Sequence, residues 1–291
     1  MKKSKNSSRL SEFNMTVIQR KNIDSSVARD IHISLRKYAW TPFRVGILTN
    51  FDFSPSFLKR YRRYINAKIG LPDVKVNIES IYSLGGENQG TPCIRISVLK
   101  TFIDEKIICE CWLFGLSSSI EDKLHENEVN APLLLMRGQK NIFENLKNLL
   151  QSMFSTPIHQ MAPNMKSLVF MCVKKNPSKN IVFYLAKEKQ QLVFHMNGDT
   201  LAGIVEAISD KSVSTDHFDE ESEFYERIYA HVKCTLHLNL EVWQVKAIKS
   251  SDFCVDEEGK VKMMSYNVFE TIIPELIDIA ETRISAGLER I

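Results

Sequence analysis

Residues 235–266 read TLHLNLEVWQVKAIKSSDFCVDEEGKVKMMSY, and apolar side chains alternate with polar ones through the first half of this stretch. Alternation at every second residue is typical of a β-strand that has one buried face. The pattern predicts a single strand over residues 235–249, which at the usual rise per residue would be roughly 50 Å long. Acidic residues and a glycine at 256–259 then predict a turn, after which a returning strand begins at Val261.

The apolar face of this predicted strand changes sides near its middle. Every second residue is apolar up to Val242, and beyond it the apolar residues occupy the alternate positions. A strand cannot shift by one residue without turning its side chains to the opposite face. Either a β-bulge near residues 242–244 keeps one core, or the strand leaves one core and enters a surface that another protein completes. In the second alternative the partner-binding residues are Leu240, Val242, Trp243, Val245, Ala247, Val261 and Met263.

The composition of the 291-residue chain, with 44% hydrophobic and 25% charged residues, is typical of a globular protein. It contains no apolar run of about eighteen residues, so we expect no membrane span. The basic N-terminus is not followed by an apolar run and therefore predicts no secretory signal. The six cysteines are scattered, with no second pair near Cys109 and Cys111, which predicts reduced core thiols and no metal site.

The first half of the chain predicts a meander of antiparallel strands, because short alternating segments are separated by glycines or acidic turn residues. A helix at 139–154 follows the meander, and a basic helix at 56–69 precedes it. The strands predicted in this half are residues 43–49, 73–83, 92–101, 106–115 and 132–136.

The second half predicts strands at 167–173, 181–186 and 191–196, and helices at 199–209, 219–232 and 267–286. We therefore predict an α+β protein dominated by twisted antiparallel sheet, with helices packed on its faces and a long C-terminal strand. The predicted parts are a disordered basic tail at 1–24, an N-terminal half at 25–156, and a C-terminal half at 157–291. The two halves are expected to be intimately joined, and the C-terminal half contains the dimerisation ribbon, residues 235–266, which is the predicted partner contact.

Catalytic motifs do not stand out in the sequence. Gly-rich phosphate loops, the GxSxG elbow and the HExxH pair are missing, and the histidines are isolated from one another. The sequence therefore predicts no enzyme, no cofactor and no small-molecule substrate. An acidic run at 216–226 is interpreted as a solvated helix face. A metal-dependent nuclease would instead use Asp219 and Glu223 from this run.

The basic helix is the strongest local indication of a binding function. Ser54-Pro55 is a typical helix start, and residues 54–72 contain no acid. Its charges predict contact with the DNA backbone. Arginines whose aliphatic stems shield the sheet, or whose guanidinium groups pair with the acids of 216–226, would give the same pattern. The DNA-binding residues in this interpretation are Lys59, Arg60, Arg62, Arg63 and Lys68. A standalone nucleic-acid-binding or processing protein that uses this helix remains the alternative function.

Four segments, which together cover about half of the chain, occur in a characteristic order. They are Trp40-Thr-Pro followed by 51–69 with Tyr61, Arg63 and Asn66-Ala67, then 131–154 beginning APLLL, then FSTPI at 154–158, and finally 220–263. In this order the segments resemble the centromere protein L family of inner-kinetochore subunits.

The resemblance implies a non-enzymatic scaffold protein of the nucleus, located at the centromere and kinetochore and active in kinetochore assembly and chromosome segregation. It implies a heterodimer with centromere protein N through sheet edges in the C-terminal halves. Other inner-kinetochore subunits and the centromeric nucleosome with its DNA are the further partners that the family implies. Because the family's C-terminal segment coincides with 235–249, the resemblance favours the partner-binding interpretation of the face change.

Overall fold

The computed structural model describes residues 33–52, 54–82, 92–101, 105–115, 128–161, 163–177, 179–212 and 219–288. The tail predicted at 1–24 lies outside these ranges. The described part of the chain combines antiparallel sheets with helices, so the prediction of an α+β fold is confirmed.

A six-stranded antiparallel sheet is built from the first part of the chain, with the strand order β3-β4-β5-β7-β1-β8. The predicted meander β3–β4–β5 is confirmed, and each of its strands pairs with the next along the sequence. A small two-stranded sheet, β2 with β6, lies beside it. The strands are β1 Thr41–Val45, β2 Leu48–Thr49, β3 Val74–Tyr82, β4 Pro92–Lys100, β5 Lys106–Phe114, β6 Glu128–Val129, β7 Leu133–Gly138 and β8 Ile158–Gln160.

Two amphipathic helices cover one face of this sheet. They are α1, Pro55–Ile69, and α2, Lys140–Phe154. Their apolar stripes form a core with the side chains of the sheet, among them Leu134 and Met136 of β7. The alternate β7 residues, Leu133 and Leu135, belong to a second core on the opposite face. The run of leucines at 133–135 is therefore buried on both faces, which explains why it is continuously apolar.

A five-stranded antiparallel sheet is built from the second part of the chain, with the order β10-β9-β11-β12-β13. Four helices pack on one of its faces and share the second core with it. Phe269 of the last helix lies 6.2 Å from Phe114 of β5, measured between ring centroids, so this core joins the two sheets. The elements are α3 Met165–Lys175, β9 Ile181–Lys187, β10 Gln190–Met196, α4 Gly198–Ser212, α5 Glu220–Leu236, β11 Gln244–Ser250, β12 Phe253–Asp256, β13 Val261–Met263 and α6 Tyr266–Leu288.

The long C-terminal strand predicted over 235–249 is wrong. Helix α5 continues to Leu236, and His237 ends it in a left-handed conformation with φ of 53°. A 3₁₀ turn at Leu240–Val242 follows, so that only Gln244–Ser250 forms a strand. The leucines that alternate in sequence belong to a helix end and a loop, and not to a pleated strand. Leu240 is 4% exposed, whereas Leu236 is 50% exposed.

A bulge does occur in β11, slightly later than the pattern placed it. The pairing of β11 with β9 shifts between Val245 and Ala247. Val245 is opposite the buried Leu185, whereas Ala247 is opposite the exposed Tyr184. The bulge therefore turns Val245 and Ala247, which strict alternation places on one face, to opposite faces of the sheet, whereas the change near Val242 coincides with the 3₁₀ turn.

The strand predicted over 167–173 is also wrong, because these residues lie in α3. The side chain of Asn164 accepts a hydrogen bond from the backbone N–H of Lys166 at 3.0 Å and caps this helix. The interior run is apolar on all sides, and a short apolar run does not distinguish a buried strand from a buried helix.

Candidate functional site

The predicted partner ribbon, residues 235–266, contributes the central strand β11 of the five-stranded sheet as well as β13 at one edge. Strand β11 pairs with β9 on one side and with β12 on the other, so its backbone is already engaged. At the β13 edge, Trp40 donates its backbone N–H to Val261 O at 2.8 Å and accepts the N–H of Val261 at 2.9 Å. Strand β10 forms the other edge of this sheet, and no such bridge to it occurs among the described residues.

The seven predicted partner-binding residues divide into two groups by burial. Leu240, Val261 and Met263 are at most 4% exposed and belong to the chain's own core. Val242 is 52% exposed, and Trp243, Val245 and Ala247 are partly exposed. Trp243 and Val245 also pack against the core, so that Val242 and Ala247 are the members most open to a partner.

Strand β10 has the properties of an edge that accepts another strand. Its sequence QQLVFHM contains neither proline, glycine, lysine, arginine nor acid, which are the residues that usually protect exposed edges. It follows β9 through a two-residue hairpin in which Lys187 is opposite Gln190. Because hydrogen-bonded and non-hydrogen-bonded pairs alternate from such a turn, the N–H and C=O of Val193 point to the open edge.

An exposed apolar row crosses the outer face of this sheet next to the edge. Val193 of β10 is opposite Tyr184 of β9, and Tyr184 is opposite Ala247 of β11. Val193 is 48% exposed and Tyr184 is 37% exposed. The helices of this half pack on the opposite face of the sheet. The row and the open edge of β10 therefore form one continuous surface.

Helix α1 is held firmly on the six-stranded sheet. The phenol of Tyr61 donates to Asn50 O at 2.9 Å and accepts the N–H of Asp52 at 3.0 Å. The Asn66 side chain accepts the N–H of Val76 in β3 at 3.2 Å. The middle and the C-terminal part of the helix are thus attached to neighbouring backbone, and its charged face has a fixed direction.

The charged face of α1 points to solvent. All five predicted DNA-binding residues are exposed, and none of them forms an ion pair with an acid among the described residues. Lys68 Nζ lies 5.9 Å from the centroid of the Tyr64 ring, and Tyr64 is itself 39% exposed. The residues concerned are Lys59, Arg60, Arg62, Arg63 and Lys68.

The acids of α5 interact within their own half of the molecule. Glu220 pairs with Lys174 of α3, and Glu223 accepts a hydrogen bond from Arg227 Nε at 2.7 Å. Asp219 caps α5 by accepting the Ser222 N–H at 3.1 Å, and these hydrogen bonds lower the pKa of its carboxyl group. These acids stabilise local structure and do not pair with the arginines of α1.

A buried ionic cluster on the other face of the six-stranded sheet was not predicted from the sequence. Glu110 is completely buried and accepts hydrogen bonds from Arg95, Arg137, Trp112 and Ser34. It thereby fixes the segment 33–40, which carries Trp40 to the β13 edge. The alternating pattern of β5 places Glu110 on the same face as Trp112. An acid on the face of a strand that carries a tryptophan is the feature of the sequence that could have indicated a buried carboxylate.

Metal-binding and membrane-spanning features are not found in the described ranges. No group of three or more His, Cys, Asp or Glu side chains there has an arrangement able to hold a metal ion. The helices within the same ranges are too short or too polar to span a bilayer.

The family model for centromere protein L matches residues 10–281, which is nearly the whole chain. A search of curated proteins finds no match. The chain belongs to the centromere protein L family and is therefore a centromere and kinetochore protein of a structural, non-enzymatic family.

Proposed function

We propose that this chain is an inner-kinetochore scaffold subunit that heterodimerises with centromere protein N and supports binding of the centromeric nucleosome and its DNA, kinetochore assembly and chromosome segregation. Its site of action is the nucleus, at the centromere, together with other inner-kinetochore subunits. Membership of the family supports this role. The observation that carries the partner assignment is the open, uncharged edge of β10 beside the apolar row of Val193, Tyr184 and Ala247.

Strand addition at β10 explains how the partner is bound. An edge strand offers unpaired backbone donors and acceptors along its length, and a strand of the partner satisfies them by extending the sheet. The apolar row then supplies side-chain contact on the adjoining face. Burial of such a row contributes about 25 cal/mol per Å² of apolar surface removed from water. The dimer surface in this proposal is therefore β10 together with Tyr184 and Ala247.

The test of the partner surface is the substitution Val193→Pro. Proline removes the N–H that faces the open edge, whereas the pairing of β10 with β9 keeps its hydrogen bonds. We expect Val193→Pro to abolish co-elution with centromere protein N, and the matched variant Val193→Ala, which keeps the N–H, to retain it. Circular dichroism and the melting temperature establish that both variants are folded. Wild-type affinity of Val193→Pro would show that β10 is not the contact.

The DNA-binding part of the proposal rests on the exposed cations of α1, which form no ion pair with an acid in the described ranges. Phosphate contacts carry no base specificity, so we expect the dimer to bind DNA independently of sequence and with strong dependence on salt. Reversal of two charges in Arg60→Glu, Arg63→Glu removes two phosphate contacts. The slope of log K against log salt should therefore decrease by about 2, at about 0.9 per contact.

The control for charge reversal is Arg36→Glu, Lys37→Glu. These two residues are exposed and lie in the segment that binds Glu110, on the face of the six-stranded sheet opposite α1. The control changes the net charge by the same amount but leaves α1 intact. Equal loss of DNA affinity in the two variants would mean that net charge, and not α1, determines binding.

A further inference from the structure

We propose that Ser54 is a phosphorylation site for a proline-directed protein kinase, and that phosphate at this position weakens the contact of α1 with DNA. The effect on DNA rests on the function proposed above for α1. Ser54 immediately precedes Pro55, the first residue of the helix. Its backbone is extended, with φ of −62° and ψ of 146°, as expected for a residue that precedes proline. A kinase active site that binds an extended Ser-Pro dipeptide therefore meets this conformation without unwinding α1.

The hydroxyl of Ser54 is not used by the helix that it precedes. Its side chain makes no capping hydrogen bond to the first turn of α1. Its Oγ lies 2.9 Å from Oγ of the exposed Ser56, and Ser54 is itself half-exposed. Its backbone N–H, in contrast, donates to Asp52 Oδ1 at 2.6 Å, which fixes the position of the residue. A phosphoryl group can therefore be added to Oγ without loss of a helix cap.

Ser54 is more favourably placed than the other serines or threonines that precede a proline. Thr41 lies inside β1, opposite Met136 of β7. Thr156 is 3% exposed. Thr91, which also precedes a proline, lies outside the described residues. Among the described residues of this kind, Ser54 alone combines an accessible hydroxyl with a position outside the sheets and the core.

The modification would change the charge of the proposed DNA-binding face. The kinase transfers the γ-phosphoryl group of ATP to Ser54 Oγ: the O–P bond to serine forms, the bond between Pγ and the ADP oxygen breaks, and the hydroxyl proton is released. The phosphate carries a charge of about −1.5 to −2 at neutral pH. At a rise of about 1.5 Å per residue, Lys59 and Arg60 lie roughly 7–9 Å along the axis, within about one Debye length at physiological salt. We expect the affinity for DNA to fall on the order of tenfold.

The modification itself is tested on the full chain in complex with its partner, incubated with a proline-directed kinase and ATP. Phosphopeptide mass spectrometry should locate phosphate on Ser54 in the wild-type protein and in the variant Ser56→Ala. The variants Ser54→Ala and Pro55→Ala should carry no phosphate at position 54. Ser56→Ala is the matched control because the two hydroxyls share one contact. Absence of phosphate from Ser54 in the folded wild-type protein, or its presence on Ser56, would overturn the proposal.

The effect on DNA is tested by comparing the phosphorylated complex with the same sample after phosphatase treatment. Phosphorylated protein should bind about tenfold more weakly, and phosphatase should restore the affinity. Unchanged affinity on phosphorylation, with normal dependence on Arg60 and Arg63, would refute regulation while leaving the proposed function standing. Loss of dependence on these arginines would instead refute the DNA role of α1, and the kinase mapping would still decide whether Ser54 is modified.

Discussion

Neutralisation of Glu110 should destabilise the protein more than any other single charge change in the described part of the chain. Its carboxylate is fully buried and accepts a hydrogen bond from Arg95 Nε at 2.7 Å and from Arg137 Nε at 2.9 Å, with Arg137 Nη2 also bonded. Trp112 Nε1 donates to it at 3.2 Å and Ser34 Oγ at 3.0 Å. One carboxylate thus joins three strands of the sheet and the segment 33–40.

The magnitude follows from the burial of the two guanidinium groups. The side chains of Arg95 and Arg137 are 23% and 12% exposed. In Glu110→Gln, Arg137 loses its negative partner and Arg95 keeps only the half-exposed Glu79, while both remain largely shielded from water. Breaking a buried ion pair in this way costs about 3–5 kcal/mol. An unfolding entropy of about 2.1 cal/mol/K per residue gives roughly 0.6 kcal/mol/K for a chain of 291 residues. The melting temperature should therefore fall by about 5–8 °C.

Differential scanning calorimetry measures this shift, and Glu79→Gln provides the matched control. Glu79 Oε2 lies 3.6 Å from Nη1 of the same Arg95, but its side chain is 50% exposed. A pair of this kind contributes about 0–1 kcal/mol, which corresponds to less than about 2 °C. If Glu110→Gln shifts the melting temperature no further than Glu79→Gln does, the buried cluster does not stabilise the fold as reasoned.

Two further predictions concern the tail and the cysteines. Deletion of residues 1–22 should change the melting temperature by less than about 1 °C, because the tail lacks the apolar periodicity needed to offset the entropy of ordering. A decrease of several degrees would show that the tail is docked on the folded protein. Burial raises the pKa of Cys109 and of Cys172 to about 12, whereas Cys234 is exposed. Iodoacetamide at pH 8 should therefore alkylate Cys234 in the native protein and leave Cys109 and Cys172 unmodified, since the thiolate is the reactive form. Equal alkylation rates of the three cysteines, measured by mass spectrometry, would contradict this prediction.

Local patterns were sufficient for the parts of the fold that neighbouring residues determine. The meander of β3, β4 and β5 was predicted correctly because each strand alternates and glycines or acidic turn residues separate the strands in sequence. The cations of α1 were also identified, since the helical period alone separates Leu58, Ile65 and the other buried residues from the charged face. Such elements need no information about the rest of the chain.

Properties that depend on strand order were not accessible from the sequence. The Glu110 cluster needs the registers Ser97 with Glu110 and Glu110 with Arg137, which join strands separated by loops of unrelated length. The strand predictions at residues 167–173 and 235–243 were wrong for another reason. A short run that is apolar on all sides, as at 167–173, fits a buried strand and a buried helix equally well. At 235–243 a helix end and a loop happen to carry apolar residues at alternate positions, of which Leu240 is buried and Leu236 is exposed.

The predicted ribbon illustrates why an alternating pattern does not identify the edge of a sheet. Ala247 and Lys249 alternate with Ile248 and Ser250 because one face of β11 is buried and the other is open, and this holds for a central strand as well as for an edge. An edge is defined by what pairs beside it, and in this sheet β11 lies between β9 and β12. The open outer face nevertheless extends from Ala247 to the edge of β10. A partner that adds a strand there would cover part of the predicted ribbon through its side chains, although the backbone contact lies two strands away.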